Sequence, residues 1–271
     1  MANIKTGRRV AATSFRKLAL GAWRSPNDST TYMTMDVNME PLLTLLEKRN
    51  QASKTRISIS HAITKAMGIC LDKFPELNRV LLGKKVYQRE CVQIFLPTVL
   101  REKEYDLSGI AIASPHTKTL EEIAEEVDHK TTRLRSGKDK EIETVKTWLS
   151  YIPSWIYRVA IKSLELILYS RNLSLRRLGF PDDRYGSLVI TSVGSLGFDC
   201  VFPPLFPFSR CSMIMAIGKV QKKPVVSNNA IQIQKMMTIT LTFDHRLMEG
   251  AQGAKPLRYF KKIMATPQEY M

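Results

Sequence analysis

The 271-residue sequence lacks the features that mark secreted, metal-binding and nucleic-acid-binding proteins. Its four cysteines are widely separated and form no Cys-x-x-Cys pair, so we expect neither a zinc site nor any other metal. No apolar leader follows the first methionine, which leads us to expect reduced thiols and a cytoplasmic location. No nucleic-acid-binding module is recognisable, and no nucleic-acid partner is expected.

A long uninterrupted hydrophobic run is also missing. The segment 142–186 is the most apolar and aromatic part of the chain, but Arg158, Lys162 and Glu165 interrupt it, so it is a poor transmembrane span. Its aromatic and basic composition is typical of an amphipathic helix at a membrane surface. The alternative is a helical hairpin that packs on its own domain or on a neighbouring subunit.

Positive charge is abundant, with a formal net charge of +16. The basic residues are spread along the whole chain rather than grouped. Such a surface either keeps a protein soluble or attracts an anionic partner, such as a membrane face or coenzyme A. Charge alone leaves these alternatives open.

The hydrophobic periodicity predicts alternating strands and helices without internal repeats. This pattern indicates one α/β domain over residues 1–271 with a mixed sheet. Strands are predicted near 32–39, 79–82, 86–88, 91–100, 108–114 and 188–190. Helices are predicted after Pro41, over 58–74 with Ser58 as the cap, over 119–135 and within 251–264.

The region before the last helix is predicted as a strand pair, 211–220 and 236–243. Between them we expect a turn at Lys222-Lys223-Pro224 and a short strand around 231–233. In the last helix, Pro256 is expected to occupy the first turn or to bend the helix.

The strand over 237–243 runs directly into Asp244, His245 and Arg246, with Glu249 four residues after the histidine. An imidazole held at the end of a strand is well placed to act as a general base, and Arg246 and Glu249 could order it. The remaining histidines read as structural: His61 and His129 on helices and His116 in a loop.

A second segment presents hydroxyl groups. Thr191 and Ser192 follow a short apolar strand, and Gly194 and Gly197 permit a tight turn. A hydroxyl in this position could donate a hydrogen bond to an oxyanion. No Gly-x-Ser-x-Gly motif is present, and no cysteine lies beside a plausible base, so a covalent nucleophile is not indicated.

Residues 235–251 resemble the signature of the 2-oxo acid dehydrogenase acyltransferase catalytic domain, which usually ends in Phe-Asp-His-Arg-x-x-Asp-Gly-Ala. Further similarity covers Arg16-Lys17, 56–66, 74–78, 190–197, 217–220 and 223–226, in the same order as in the family. The family shares its fold with chloramphenicol acetyltransferase. The resemblance therefore implies a two-layer sandwich with a mixed β-sheet, carrying 142–186 as a helical insertion.

The resemblance also implies an activity: CoA-dependent acyl transfer by direct attack of the acceptor on a thioester. His245 would be the general base, Thr191 the oxyanion donor, and Glu249 the residue that helps to fix the histidine. The remaining implied roles are structural or orienting for Asp244, Arg246 and Arg16, with Arg16 pairing Glu249, and CoA binding for Ser192 and Gly194.

The family builds its active site between the subunits of a trimer, so a homotrimer is implied. The resemblance leaves open whether these trimers form a larger cubic assembly. Acyl-CoA and a small or carrier-bound acceptor are the implied partners, with 142–186 as a possible peripheral membrane contact. No lipoyl domain is recognisable, so no covalently bound lipoate is expected in this chain. Two alternatives follow: an inactive assembly protein of the same fold, or an acyltransferase that uses a lipoyl domain supplied by another chain.

Overall fold

A computed structural model describes residues 29–82, 85–101, 106–136, 159, 163, 166–167, 172–174, 183–205, 209–227 and 229–271. Arg16 and most of the predicted insertion 142–186 lie outside these residues.

The strands agree closely with the predicted ones, and most of them join one mixed sheet. The strands are β1 (Thr30–Asn38), β2 (Arg79–Leu82), β3 (Lys85–Gln88), β4 (Gln93–Arg101), β5 (Asp106–Ala113), β6 (Leu188–Ser192), β7 (Met213–Ser227) and β8 (Ala230–Asp244). The main sheet has the order β1-β8-β7-β6-β4-β5, while β2 and β3 form a separate hairpin. Strands β4, β6 and β7 run parallel and the other neighbours are antiparallel, which confirms the predicted mixed sheet.

The helices of the described chain are α1 (Glu40–Ala52), α2 (Ile59–Lys73), α3 (Leu120–Arg135) and α4 (Gly250–Ala265). They contribute to one hydrophobic core together with alternate residues of β8, from Met237 to Phe243. Because successive strand residues point to opposite faces, the intervening threonines of β8 face away from that core. Sheet and helices thus form the two expected layers.

Helix α2 begins as the sequence predicts. The Ser58 hydroxyl accepts a hydrogen bond from the His61 N–H at 3.4 Å, and the Ser58 N–H donates to His61 Nδ1 at 3.2 Å. This reciprocal pair is a capping box with histidine in the place of the usual Glu or Gln. Burial lowers the pKa of His61 to about 4, so the neutral ring that accepts the hydrogen bond is favoured.

The predicted turn at Lys222-Lys223-Pro224 was wrong. Strands β7 and β8 form one long hairpin, Pro224 is paired with Ile233 inside it, and the connection lies after Ser227. Proline lacks an N–H and is tolerated only where one side of a strand is free. The other neighbour of β7, strand β6, pairs only as far as Ile217, so the outer half of β7 has such a free side.

Of the two alternatives expected for Pro256, a position in the first turn is excluded, and a bend of the helix stays a prediction. Helix α4 begins at Gly250, so Pro256 lies inside the helix, in its second turn. Its missing N–H removes one backbone hydrogen bond. Pro256, Phe260, Ile263 and Met264 form the buried side of this helix.

The His61 cap predicts a specific pH dependence of stability. Because the folded-state pKa lies below the unfolded value, the unfolded chain binds the extra proton as the pH falls from about 6.5 towards 4. The contribution of neutral His61 to the free energy of unfolding is complete above about pH 6.5. It decreases by about 2–3 kcal/mol as the pH falls from 6.5 to 4. We expect His61→Gln, which keeps a cap acceptor but does not titrate, to remove this loss in urea unfolding measured between pH 7 and 4.5.

His129→Gln is the matched control, since His129 is exposed on α3. It should keep the wild-type pH profile. A His61→Gln protein that loses stability as steeply as the wild type would contradict the assignment.

Candidate active site

His245 is the first residue after β8, and its side chain is exposed. Its backbone N–H donates to the Ser29 carbonyl at 2.8 Å, which extends the pairing of β8 with β1 by one residue beyond Thr30 and Asp244. The backbone of His245 is therefore fixed by the sheet while its imidazole faces outwards. The expected presentation of a histidine at a strand end is confirmed.

Asp244 organises the loop that follows. Its carboxylate accepts hydrogen bonds from Arg246 Nε at 2.9 Å, Arg246 Nη2 at 2.6 Å and the Arg246 backbone N–H at 3.0 Å. The Ser29 hydroxyl donates to the same carboxylate at 2.8 Å. The Asp244 carbonyl in turn accepts from the N–H groups of Leu247 and Met248. One side chain and its own backbone thus determine the path of residues 244–248.

Two opposing effects act on the pKa of Asp244. Burial alone would raise it, but the hydrogen bonds from Arg246 and Ser29 outweigh that effect and hold the pKa below its ordinary value. The carboxylate therefore remains ionised at neutral pH and forms an ion pair with Arg246.

Glu249 is exposed and is the N-cap residue that precedes helix α4. Its backbone N–H donates to Gln252 Oε1 at 3.2 Å, so the residue has a local structural role at the helix start. Within the described chain, no hydrogen bond or ion pair joins Glu249 to His245. Its expected partner, Arg16, lies outside the described residues, and the orienting role of Glu249 stays a prediction.

Thr191 is not brought to His245 within one chain. Thr191 is opposite Ala216 in β7, and Ala216 is opposite Thr240 in β8, four residues before Asp244. Four residues span roughly 14 Å along a strand, and two strand spacings add roughly 10 Å across the sheet. Thr191 and Asp244 are therefore about 17 Å apart, and one substrate carbonyl cannot contact Thr191 and His245 of the same chain.

Close packing explains why a glycine, Gly194, occupies the turn after Thr191. A Cβ at Gly194 would stand 2.4 Å from the Gly218 carbonyl oxygen, so the turn approaches β7 more closely than any other residue allows. Ser192 is exposed beside it. The structure thus explains Gly194 without a ligand, and CoA binding by Ser192 and Gly194 stays a prediction.

The sequence did not reveal Ser29 as part of the site. Ser29 lies 215 residues before Asp244, and no motif connects the two positions. The pairing of β1 with β8 brings them together. Only the register of the two strands could have identified it.

Neither a metal site nor a membrane span is found in the described ranges. No group of three or more His, Cys, Asp or Glu side chains there is arranged to hold a metal ion. Likewise, no helix of that part of the chain has the length and hydropathy that crossing a membrane requires.

The Asp244 network predicts a measurable stability contribution. We expect Asp244→Asn to lower the free energy of unfolding by about 1–3 kcal/mol at pH 7, because charged hydrogen bonds to a buried carboxylate are lost. The difference should persist at pH 4 and narrow only as the pH falls through the lowered pKa of the folded protein, where the wild-type carboxylate also becomes protonated. Urea unfolding at pH 7 and in steps from pH 4 downwards measures both effects.

Asp36→Asn is the matched control. The Asp36 carboxylate is half exposed and accepts from Lys223 at 3.1 Å and from Thr238 at 2.6 Å. Its substitution should cost less than about 1 kcal/mol at pH 7. Equal losses in the two variants would show that Asp244 has no special role in the loop.

Solved structures share this fold over nearly the whole chain. A probable dihydrolipoamide acetyltransferase from Listeria monocytogenes has a TM-score of 0.65 at 17% identity, covering 96% of this chain and 94% of its own. The dihydrolipoamide acetyltransferase of Azotobacter vinelandii has a TM-score of 0.66 at 16% identity, covering 99% and 96%. Chloramphenicol acetyltransferase follows with a TM-score of 0.50 at 11% identity, covering 88% and 89%. The predicted chloramphenicol acetyltransferase-like α/β fold is confirmed.

The sequence comparisons give the family. The acetyltransferase component of the pyruvate dehydrogenase complex of Zymomonas mobilis is 25% identical over 242 residues, 87% of this chain and 44% of that protein. The mitochondrial counterpart of Caenorhabditis elegans is also 25% identical, over 87% of this chain and 40% of that protein. The chain thus spans less than half the length of these relatives. The family model for 2-oxoacid dehydrogenases acyltransferase (catalytic domain) matches residues 8–147 and 165–271, leaving out 148–164 inside the predicted insertion. The chain belongs to this acyltransferase family.

Proposed function

We propose that the protein transfers an acyl group from acyl-CoA to an acceptor, with His245 as the general base and with each active site formed by two subunits of a homotrimer. The observation that carries this proposal is the exposed imidazole on a backbone fixed by Ser29 and Asp244. A rigid base at the protein surface is suited to a reaction whose other groups come from a second chain.

A relative supports the assignment of roles. In the Azotobacter vinelandii enzyme, a serine, a histidine and an asparagine have been assigned a role in the catalytic mechanism. The asparagine lies four positions after the histidine. In this chain the family resemblance assigns these roles to Thr191, His245 and Glu249, and the last two have the same spacing of four positions. A threonine keeps the hydroxyl donor of a serine. A glutamate replaces an amide by a carboxylate with one more methylene.

The chemistry then needs one proton transfer in each direction. His245 takes the proton of the acceptor as the acceptor attacks the thioester carbonyl. The Thr191 hydroxyl of a second subunit donates a hydrogen bond to the oxyanion of the tetrahedral intermediate. When the intermediate collapses, the C–S bond breaks and the departing CoA thiolate takes the proton from the imidazolium. The acyl group ends on the acceptor and His245 returns to its neutral form.

The strand register favours a shared site. Thr191 and Asp244 of one chain are about 17 Å apart on the sheet, as estimated above. A base and an oxyanion donor must both lie within about 3 Å of the reacting groups. A neighbouring subunit that presents Thr191 opposite His245 resolves this conflict. One relative of the same fold is the cubic core of a pyruvate dehydrogenase complex, so assembly of such domains has a precedent.

Replacing the base should abolish most of the activity. We expect His245→Ala to reduce kcat for acyl-CoA-dependent transfer by at least ~10²–10⁴-fold, with the melting temperature and CoA affinity retained. Release of free CoA thiol with candidate thiol and amine acceptors measures the rate. His129→Gln, in an exposed histidine away from the site, should keep wild-type turnover. An unchanged rate in His245→Ala would overturn the catalytic assignment.

The same assay tests the alternatives. An inactive assembly protein, which the glutamate at position 249 in place of the family's Asp or Asn favours, would neither release CoA nor bind CoA at millimolar concentration. An enzyme that depends on a lipoyl domain of another chain would use acyl-lipoamide as donor in preference to acyl-CoA. Comparing the two donors on the wild-type protein separates these outcomes.

A shared site predicts complementation between two inactive variants. Thr191→Val should lower kcat by roughly 10²–10³-fold, as loss of an oxyanion donor does. Co-expressed with His245→Ala, it should regain activity, because some interfaces combine an intact histidine with an intact threonine. For random mixing in a cyclic trimer, about one interface in four is intact, so recovery should approach a quarter of the wild-type rate.

Mixing the separately folded variants without subunit exchange is the control, and it should show only the residual rates. If co-expression also gives only residual rates while tagged subunits co-purify, Thr191 and His245 of different subunits do not form one active site and the proposed arrangement fails.

A further inference from the structure

An apolar cavity of about 320 Å³ lies between the core face of the sheet and helices α2 and α4. None of its lining side chains is charged, and the polar ones are Thr31 and Cys70. Burial raises the pKa of Cys70 to about 12, so this thiol is neutral. Unpaired polar groups are costly to bury in such surroundings, so the cavity suits only an apolar ligand or the apolar part of an amphipathic one.

Methionine dominates the wall of the cavity. Six of the twelve methionines in the chain contribute to it. Methionine is unbranched and polarizable, so a methionine-lined wall adapts to flexible ligands of variable length. The six are Met33, Met35, Met67, Met213, Met215 and Met248.

The cavity adjoins the loop that carries His245. Phe243, two residues before the histidine, and Met248, three residues after it, both line the cavity. Thr31, opposite Phe243 in the β1–β8 pairing, and the exposed Gly250 lie at the same end of the sheet. A linear ligand that enters beside Gly250 therefore has its outer end next to the candidate base.

Small residues of α4 leave this space open. A Cβ at Gly253 would stand 3.7 Å from Met248 Sδ, an ordinary contact, and nothing lies within 4 Å of a Cβ at Gly250. Ala254 also lines the cavity. A volume of 320 Å³ holds roughly ten groups of the size of water, and a methylene is of similar size. The cavity thus matches a chain of about eight to ten carbons.

We propose that this cavity binds the apolar tail of the transferred acyl group, and that the protein prefers medium-chain acyl thioesters over acetyl thioesters. The inference rests on the proposed acyl transfer by His245. It adds the chemical class of the donor, and its binding test is independent of turnover.

Binding of free carboxylates from butyrate to tetradecanoate to the full-length wild-type protein tests the chain site by isothermal titration calorimetry. We expect the affinity to rise about fourfold for each added methylene and to level off near ten carbons. A cavity already filled by another part of the chain would show no binding at any length, which would overturn the proposal.

Ala254→Phe places a ring in the cavity and should weaken decanoate binding at least tenfold. Ala254→Leu, a smaller change that guards against misfolding, should weaken it less. Ala265→Phe is the matched control, because Ala265 is exposed at the far end of α4, and it should keep decanoate affinity within about twofold. Equal effects at both positions would contradict the assignment of the cavity.

Turnover of acetyl-, octanoyl- and decanoyl-CoA distinguishes the medium-chain preference from the proposed acyl transfer itself. The medium-chain preference holds if the ratio of kcat/KM for decanoyl- over acetyl-CoA exceeds ten in the wild type and falls in Ala254→Phe. Histidine-dependent turnover with no chain-length preference would overturn this inference and leave the proposed function intact. Chain-length-dependent carboxylate binding without His245-dependent turnover would overturn the proposed function and the donor assignment together.

Discussion

The pairing of β8 with β1 on one side and β7 on the other is the constraint on which the rest of the structure depends. A shift of one residue in either register would turn the apolar side chains from Met237 to Phe243 away from the helices and expose them. The hydrophobic burial on the core face therefore fixes the register. The register, in turn, decides where β8 ends and that Ser29, the residue before β1, contacts His245.

The same constraint separates the chemical groups. Asp244 and Ser212 are joined at one end of the strands by a backbone hydrogen bond of 3.0 Å, whereas Thr191 lies two strands away and further along. A sheet cannot bring these two positions together without losing its pairing. The proposed base and the proposed oxyanion donor of one chain therefore stay apart, and the proposed chemistry is compatible with this strand geometry only if a second subunit supplies one of the two groups.

Local patterns in the sequence predicted most of the fold. The alternation in β8 and the Ser58 cap of α2 are short-range signals, and both were confirmed. The turn expected at Pro224 was wrong because proline is read as a turn residue when the partner of the strand is unknown. Ser29 was missed for a related reason, since its contact with Asp244 depends on pairing across 215 residues. Tertiary pairing, which a single sequence does not display, accounts for both failures.

The loop over 244–248 combines two kinds of attachment. Its polar side is held by the Asp244 carboxylate, which ties Arg246 and Ser29. Its apolar side is held by the buried side chains of Leu247 and Met248, and Met248 is part of the cavity wall. Because an apolar chain in the cavity would contact Met248, its binding acts on the same short loop that positions His245. The backbone hydrogen bonds of Asp244 to Ser212 and of His245 to Ser29 hold the start of the loop, so we expect His245 to keep its place when Met248 adapts to a ligand.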